Sequence, residues 1–199
     1  MPEYQEIIET IEMIRLENLD VWAVTMGISL WECADKDIGN NIAEKIRAKA
    51  AGLVSACERL EQKYGTPIVN KRVAVSPIAL IAADQSVDGL MEIAMVLDDV
   101  CEEIGVDVIG GYSALVHKGI KPGDQRLLDS IPSVLSQTER LCSSINVAST
   151  KAGINMEAVM QMGGIIREAA FRTKERHGFA CAKLVVFANI PEDNPFMAG

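Results

Sequence analysis

Apolar and polar positions along the chain follow two alternating periods, which predict strands separated by helices. Short apolar runs typical of buried strands occupy residues 20–26, 68–75, 106–109, 140–147 and 182–188. Apolar residues recur every three or four positions elsewhere, which predicts helices at residues 4–17, 38–64, 86–104, from 124 onward and 155–176. Residues 78–83 form an apolar run without an assigned element, and residues 189–199 show neither period.

Glycine, proline and capping residues indicate where these elements end. Gly27 is expected to end the first strand, and Gly110 with Gly111 is expected to end the third. Pro132 falls inside a helical pattern, where it either interrupts the helix or begins a second helical turn. Asn155 precedes the last long helical pattern, and its side chain is expected to cap that helix by accepting an amide hydrogen bond.

The order of these elements predicts an α/β fold with about five mostly parallel strands. Parallel neighbours need crossover connections, which the helices supply, and such crossovers are nearly always right-handed. The sheet is either open or part of a barrel. Apolar residues make up 49% of the chain and aromatic residues only 5%, so aliphatic side chains must fill the core. No linker or shift in composition divides the sequence, so residues 1–199 are expected to form a single domain.

Charge and cysteine content narrow the classes of partner and compartment. The formal net charge is −9, which disfavours binding to nucleic acid and to anionic membrane surfaces. No apolar run reaches the roughly 18 residues that a membrane-spanning helix needs. The five cysteines are odd in number and contain no CxxC pair, so neither a disulfide framework nor a structural zinc site is expected. Unpaired cysteines favour a reducing cytoplasm as the location.

The segments that follow the strands are where a ligand site is expected, because ligands bind at the carboxyl ends of parallel strands. The residues that we predict to bind a small ligand there are Ser29, Ser113, Ser149, Thr150, Lys151, Asn155, Asn189 and Asp193. Residues 149–155 form the strongest candidate loop, since a lysine, two hydroxyls and free amides precede a helix N-terminus that attracts anions. Turn and capping requirements explain any single loop better than ligand binding does. The prediction therefore depends on several loops meeting in space.

Three residues are candidates for catalysis: Cys33, His117 and Lys151. His117 follows a strand end, where an imidazole can serve as a base or a ligand. Cys33 is a candidate nucleophile, although a half-buried apolar role explains that thiol better. The motifs HExxH, GxSxG, the P-loop and the dinucleotide fingerprint are all absent from the sequence. No metal site is expected, no cofactor can be assigned, and whether the chain is an enzyme stays open.

Several ordered segments carry a resemblance to a known family: residues 25–30, 67–78, 104–116, 142–156, 182–189 and 192–199. Together they resemble an uncharacterised bacterial and archaeal family, often called "PFL family protein". The resemblance implies the barrel of pyruvate formate-lyase and other glycyl radical enzymes, built from two five-stranded parallel half-sheets set antiparallel to each other. Members of that family are roughly twice as long, so the resemblance implies that this chain is an N-terminal half-barrel.

The resemblance implies no particular reaction, because a shared fold does not transmit chemistry. The glycyl loop that radical chemistry requires is not expected in this chain. A half-barrel would leave an apolar face and two sheet edges uncovered. We therefore expect a homo-oligomer or an association with the missing C-terminal half.

Three functions stay open at this point. The first is an enzyme that acts on a small anionic metabolite at the strand ends without glycyl radical chemistry, which α/β barrels favour by analogy. The alternative is a non-catalytic small-molecule-binding or regulatory protein that uses the same pocket. The second alternative is a structural or assembly role. A base and nucleophile close together would favour the enzyme, and a polar pocket without such a pair would favour the binding protein.

Overall fold

One β-sheet forms the centre of the computed structural model, which describes residues 4–16, 20–35, 37–190 and 194–196. The strands in these ranges are β1 (Val21–Ile28), β2 (Ile68–Val75), β3 (Val108–Leu115), β4 (Leu141–Ser149), β5 (Gly153–Ile154) and β6 (Leu184–Ala188). The helices are α1 (Tyr4–Arg15), α2 (Ile38–Ala50), α3 (Leu53–Tyr64), α4 (Ile78–Ile81), α5 (Val87–Glu103), α6 (Pro122–Gln137), α7 (Met156–Arg172) and α8 (Phe179–Ala182). Two short 3₁₀ turns lie at Trp31–Cys33 and Lys174–Arg176.

The five longer strands run parallel to their neighbours, in the order β1-β2-β3-β4-β6. The short β5 pairs antiparallel with the end of β4. This topology confirms the predicted α/β fold with mostly parallel strands and crossover helices. Because the spatial order of the strands follows the chain order, right-handed crossovers place the connecting helices on the same face of the sheet.

Aliphatic side chains between the sheet and these helices form the core, as the composition predicted. Leu141 of β4 belongs to the same buried cluster as Leu97 of α5 and Leu127 of α6. The hydroxyl of Tyr112 in β3 lies 2.6 Å from the Ser130 hydroxyl of α6, and burial raises the pKa of Tyr112 to about 12. This contact identifies the side of β3 that faces the helices.

Side chains alternate between the two sides of a strand. The side of the sheet opposite the helices, which we call the helix-free face, carries the strand residues that alternate with those facing the helices. Its members, as the register gives them, include Thr25, Asn70, Arg72, Ala74, Val108, Gly110, Ser113, Cys142, Ser144, Asn146, Val185 and Phe187. Most of these side chains are small or polar. Residues 194–196 lie against this face. The centroids of the Phe196 and Phe187 rings are 5.1 Å apart. The Phe196 carbonyl oxygen approaches Gly110 so closely that a Cβ added to this glycine would lie 2.7 Å from it.

The third strand continues through Gly110 and Gly111, so the prediction that it ends there was wrong. Gly111 has a φ of +115°, and a Cβ added to it would lie 2.4 Å from Val75 Cγ2. The register between β3 and β4 also shifts at this point. The two glycines therefore form an irregularity inside the strand instead of a turn after it. The first strand likewise runs past Gly27 by one residue.

Two helices also differ from the prediction. The pattern at residues 38–64 forms two helices, because the chain turns at Gly52, where the low helix propensity of glycine favours a break. In contrast, α6 is not interrupted at Pro132, which is buried inside the continuous helix. Burial of its ring against the core offsets the backbone hydrogen bond that proline cannot donate.

The other boundaries lie close to the predicted ones. The bounds of β2 are those predicted, and the unassigned run at residues 78–83 contains α4. The last strand begins at Leu184 instead of residue 182, because residues 179–182 form α8. No helix in the described part of the chain is long and apolar enough to cross a membrane.

Candidate functional site

The carboxyl edge of the sheet brings together the loops that follow β3, β4 and β6. A shallow cleft of about 460 Å³ opens there, which we call the edge cleft. It is lined by His117, Lys118, Gly119, Ala152, Asn155 and Glu157. Two of the predicted site residues, His117 and Asn155, thus share one cleft, although they belong to different loops.

Asn155 joins the loop after β3 to the start of α7. Its side-chain oxygen accepts a hydrogen bond from the Ala158 amide at 3.2 Å, which confirms the predicted helix cap. Its side-chain nitrogen donates to the Val116 carbonyl at 2.7 Å. The backbone amide of Asn155 donates to Val147 at the end of β4. One residue therefore holds two loops and a helix N-terminus in a defined arrangement.

The loops after β4 and β6 are also joined directly. The Asn189 side chain accepts a hydrogen bond from the Thr150 amide at 3.0 Å, and the Asn189 amide donates to Ala148 at 2.7 Å. Asn189 has a φ of +58°, a conformation that asparagine tolerates better than most residues. The Ser149 hydroxyl accepts a hydrogen bond from the Ala152 amide within its own loop. The loops after β4 and β6 are therefore in contact, and part of the hydrogen-bonding capacity of their polar residues is used to shape them.

The orientation of the His117 ring follows from its contact with Asn146. Two carbonyl groups, those of Phe187 and Ala148, are 3.1 and 2.9 Å from one end of the Asn146 amide and require its nitrogen there. In that orientation the amide oxygen faces His117 Nδ1, at the 3.4 Å separation between the two side chains. Nδ1 then carries the proton in the neutral ring, and Nε2 is left as a hydrogen-bond acceptor.

Two lysines near the edge cleft have no partner of opposite charge among the described residues. Lys118 lines the cleft, and Lys151 lies on the loop that contributes its other wall. Both are exposed, and neither forms a salt bridge or hydrogen bond with any residue that the structure describes. Glu157 is the one carboxylate among the lining residues. The α7 N-terminus adds the positive end of a helix dipole at the same place.

The remaining predicted residues do not join this cluster. Ser29 follows β1, which is three strands from β4, so about 14 Å of sheet separates their ends. Ser113 is not in a loop: it is fully buried within β3 and lies 2.7 Å from the Ser144 hydroxyl on the helix-free face. Asp193 falls outside the described residues.

Cys33 lies just beyond the end of β1, and its surroundings favour the apolar role over that of a nucleophile. Its thiol is buried and contacts the Asn41 carbonyl at 3.6 Å. Burial raises the pKa of the Cys33 thiol above its usual value, and the nearby Lys45 only partly opposes that effect. A neutral buried thiol is a poor nucleophile, so the apolar role is the better explanation.

The sequence interpretation missed two residues that contribute to the edge cleft. Asn146 was assigned to an apolar strand, yet it is the residue that orients His117. An amide between the apolar residues Ile145 and Val147 of a predicted strand was the available signal. Lys118 was overlooked because no pattern distinguishes an exposed lysine in a loop from any other. Among the described residues, no three His, Cys, Asp or Glu side chains are grouped so that they could hold a metal ion.

The family of the chain follows from comparison with known proteins. A family model described as "Uncharacterised ACR (DUF711)" matches residues 12–199. The chain belongs to the DUF711 family. This confirms the predicted membership of an uncharacterised family, at the level of DUF711 and of the related proteins named UPF0210.

Curated DUF711 relatives occur in both bacteria and archaea. A UPF0210 protein of Desulforamulus reducens is 52% identical over 202 residues, which cover 100% of this chain and 45% of the relative. A UPF0210 protein of Methanococcoides burtonii is 54% identical, with 98% and 44% of the two chains covered. UPF0210 protein MJ1665 of Methanocaldococcus jannaschii is 53% identical with the same coverage. The chain thus spans a little under half the length of these relatives, and their names state no activity.

Proposed function

We propose that the edge cleft binds a small anionic metabolite. The observation that carries this proposal is that Lys118 and Lys151, which have no partner in the described ranges, lie on loops that the Asn155–Val116 hydrogen bond holds together. The net charge of the chain is −9, yet neither lysine forms a salt bridge with any acidic residue that the structure describes. A bound carboxylate or phosphate would supply that partner.

Other features of the cleft support the same class of ligand. The N-terminus of α7 lies at the cleft, and the free amides at a helix N-terminus favour negative charge. A volume of about 460 Å³ falls in the range of known sites for small molecules. Glu157, which also lines the cleft, disfavours a second acidic group beside it. We therefore favour a ligand with one acidic group near the lysines.

Catalysis is a second candidate, supported by the orientation of His117. A neutral imidazole with a free Nε2 in a cleft can accept a proton from a bound substrate. Among the described side chains, no hydroxyl or thiol is hydrogen-bonded to the His117 ring. The described side chain that contacts its Nδ1 is the Asn146 amide. The geometry therefore supports binding better than covalent catalysis, and an enzyme of this site would use His117 as a base without a protein nucleophile.

A comparison of two lysine variants tests the binding proposal. Wild-type protein would be screened by thermal unfolding against inorganic phosphate and small mono- and dicarboxylates. A ligand at hundredfold excess over its Kd raises the free energy of unfolding by about 2.7 kcal/mol. Lys151→Gln should lose most of this effect. Lys49→Gln is the matched control, because Lys49 is exposed on α2 and has no salt bridge or hydrogen bond within the described ranges.

Two results would contradict the proposal. One is that no anion raises the unfolding temperature of the wild type at millimolar concentration. The other is that Lys151→Gln and Lys49→Gln respond to the active anion equally. Retention of binding together with loss of turnover in His117→Gln, measured once a substrate is known, would favour the enzyme over the binding protein.

The barrel and its assembly are a separate part of the proposal. The resemblance to the pyruvate formate-lyase barrel, together with a parallel sheet that exposes the edges of β1 and β6, supports a half-barrel that pairs with further chain. The partner would be the remaining half of the family fold or a second copy. Sedimentation in dilute solution tests this: dimers, or a complex with the separately produced second half of a relative, support it, and a monomer that binds neither contradicts it. A cytoplasmic location likewise stays a prediction.

A further inference from the structure

A second cavity lies on the helix-free face, away from the edge cleft. Its volume is about 240 Å³, and it is closed on one side by Pro195 and Phe196. Arg72, Cys142 and Lys183 supply its chemically active side chains. The rest of the lining is mainly apolar or small and consists of Val73, Val108, Gly110, Ala182 and Val185.

Strand register places this cavity near the amino-terminal ends of the strands. Arg72 of β2 pairs with Val108, the first residue of β3. Cys142 is the second residue of β4, and Lys183 immediately precedes β6. Ser149 at the carboxyl edge lies seven positions beyond Cys142 along β4, which corresponds to about 23 Å. The cavity and the edge cleft are therefore distinct sites.

The Arg72 side chain has no partner in this cavity. Its Nε is buried, and the guanidinium forms no hydrogen bond or salt bridge with the described part of the protein. A buried donor without an acceptor is unfavourable, and native structures satisfy nearly all such groups. The planar guanidinium is suited to bind both oxygens of a carboxylate, so an acid group in the cavity would satisfy it.

The other polar groups of the cavity do not neutralise Arg72. The Lys183 ammonium donates to the Thr138 carbonyl and, at 3.2 Å, to the Thr138 hydroxyl, and burial lowers its pKa. Burial raises the pKa of the Cys142 thiol, while Lys183 and Arg72 act in the opposite direction. The Asp98 carboxylate, which acts electrostatically on Lys183, accepts hydrogen bonds from three backbone amides. Arg72 therefore faces a cavity in which none of the described lining residues carries a carboxylate.

We propose that this cavity binds a short-chain monocarboxylate, with Arg72 holding the acid group and the walls formed by Val185 and Phe196 enclosing the hydrocarbon part. The small volume admits only a few carbon atoms, and the apolar walls disfavour a ligand that is charged throughout, such as inorganic phosphate. The proposal does not depend on the edge cleft, so either site can fail its test without the other.

The Cys142 thiol serves as a reporter, because it lines the cavity and is partly accessible. Intact protein would be alkylated with iodoacetamide, and the rate at each cysteine measured by mass spectrometry of its peptide. Butyrate at millimolar concentration should slow alkylation of Cys142 at least fivefold relative to sodium chloride of equal ionic strength. Cys181 is the internal control, because its thiol contacts the Ile166 carbonyl outside the cavity and its rate should not change.

Two further comparisons test whether protection of Cys142 requires the negative charge of the ligand and the Arg72 side chain. Butyramide, a neutral molecule of nearly the same shape, should not protect Cys142. Arg72→Gln should abolish protection by butyrate, whereas Arg167→Gln should not, since Arg167 is exposed on α7. Equal rates in butyrate and chloride, or equal protection by butyramide, would overturn the proposal. The measurements with butyrate and butyramide use only wild-type protein, so they test the proposal even if Arg72→Gln does not fold.

Discussion

Replacement of Asn155 separates the stability of the edge cleft from its capacity to bind an anion. In Asn155→Ala, both side-chain hydrogen bonds are lost: the cap on the Ala158 amide at 3.2 Å and the bond to the Val116 carbonyl at 2.7 Å. Loss of a helix cap costs about 1 kcal/mol. The second bond contributes about 1 kcal/mol and no more, because Val116 still accepts a hydrogen bond from Gly119. The expected loss of unfolding free energy is about 2 kcal/mol.

Asn155→Asp changes only one of the two interactions. The aspartate can still cap α7, and its charge interacts favourably with the helix N-terminus by about 0.5 kcal/mol. It cannot donate to Val116, so that contact becomes repulsive. We expect a loss of about 1 kcal/mol or less, clearly smaller than for alanine. The added negative charge in the cleft should nevertheless abolish the stabilisation that an anion gives to the wild type.

Urea denaturation followed by circular dichroism gives the free energies, and thermal unfolding with and without the anion gives the binding effect. The surface residue Asn40, whose side chain bonds to Asp37, provides matched alanine and aspartate controls. A loss for Asn155→Ala within about 0.5 kcal/mol of the Asn40→Ala control, a typical surface effect, would contradict the role of the two hydrogen bonds. Binding of the anion by Asn155→Asp as tight as that by the wild type would contradict the anion site.

Three further substitutions test the fold. Asp98→Ala removes the acceptor of three backbone amides at the start of β4, and it should lower the free energy of unfolding in urea by about 3 kcal/mol. The control Asp99→Ala, at an exposed neighbouring residue, should lower it by less than about 0.5 kcal/mol. Equal losses in the two variants would contradict this role of Asp98. Gly111→Ala should destabilise by more than about 3 kcal/mol or prevent folding, since its Cβ would lie 2.4 Å from Val75, and a near-normal melting temperature would refute the close packing. The backbone hydrogen bond that Glu61 accepts, with the nearby lysine, holds the pKa of its carboxyl below the usual 4.5, so its stabilisation is present at neutral pH and is lost as pH falls below that value. Glu61→Gln should therefore be less stable than wild type at pH 7 and converge with it in acid; a constant difference would contradict the assignment.

The local features of the fold could be predicted because they depend on neighbours along the chain. The bounds of β2 follow from a continuous apolar run, and the capping role of Asn155 follows from its place before a helical pattern. The prediction failed where glycine and proline were interpreted as breaks without knowledge of what packs on them. Gly111 lies in a strand because Val75 of the neighbouring strand approaches it, and Pro132 lies in a helix because the core covers it.

The sequence by itself determined the class of the fold, the parallel direction of the strands, the family of the chain and most residues of the loops at the carboxyl edge. Only the tertiary structure decided which of those residues meet. It joined Thr150 to Asn189 and placed Ser113 inside the sheet. It also gathered Arg72 and Cys142, 70 positions apart in the sequence, on one face. The physical reason is that periodicity reflects contacts within one element, whereas strand register and β-bulges depend on packing between elements far apart in the chain.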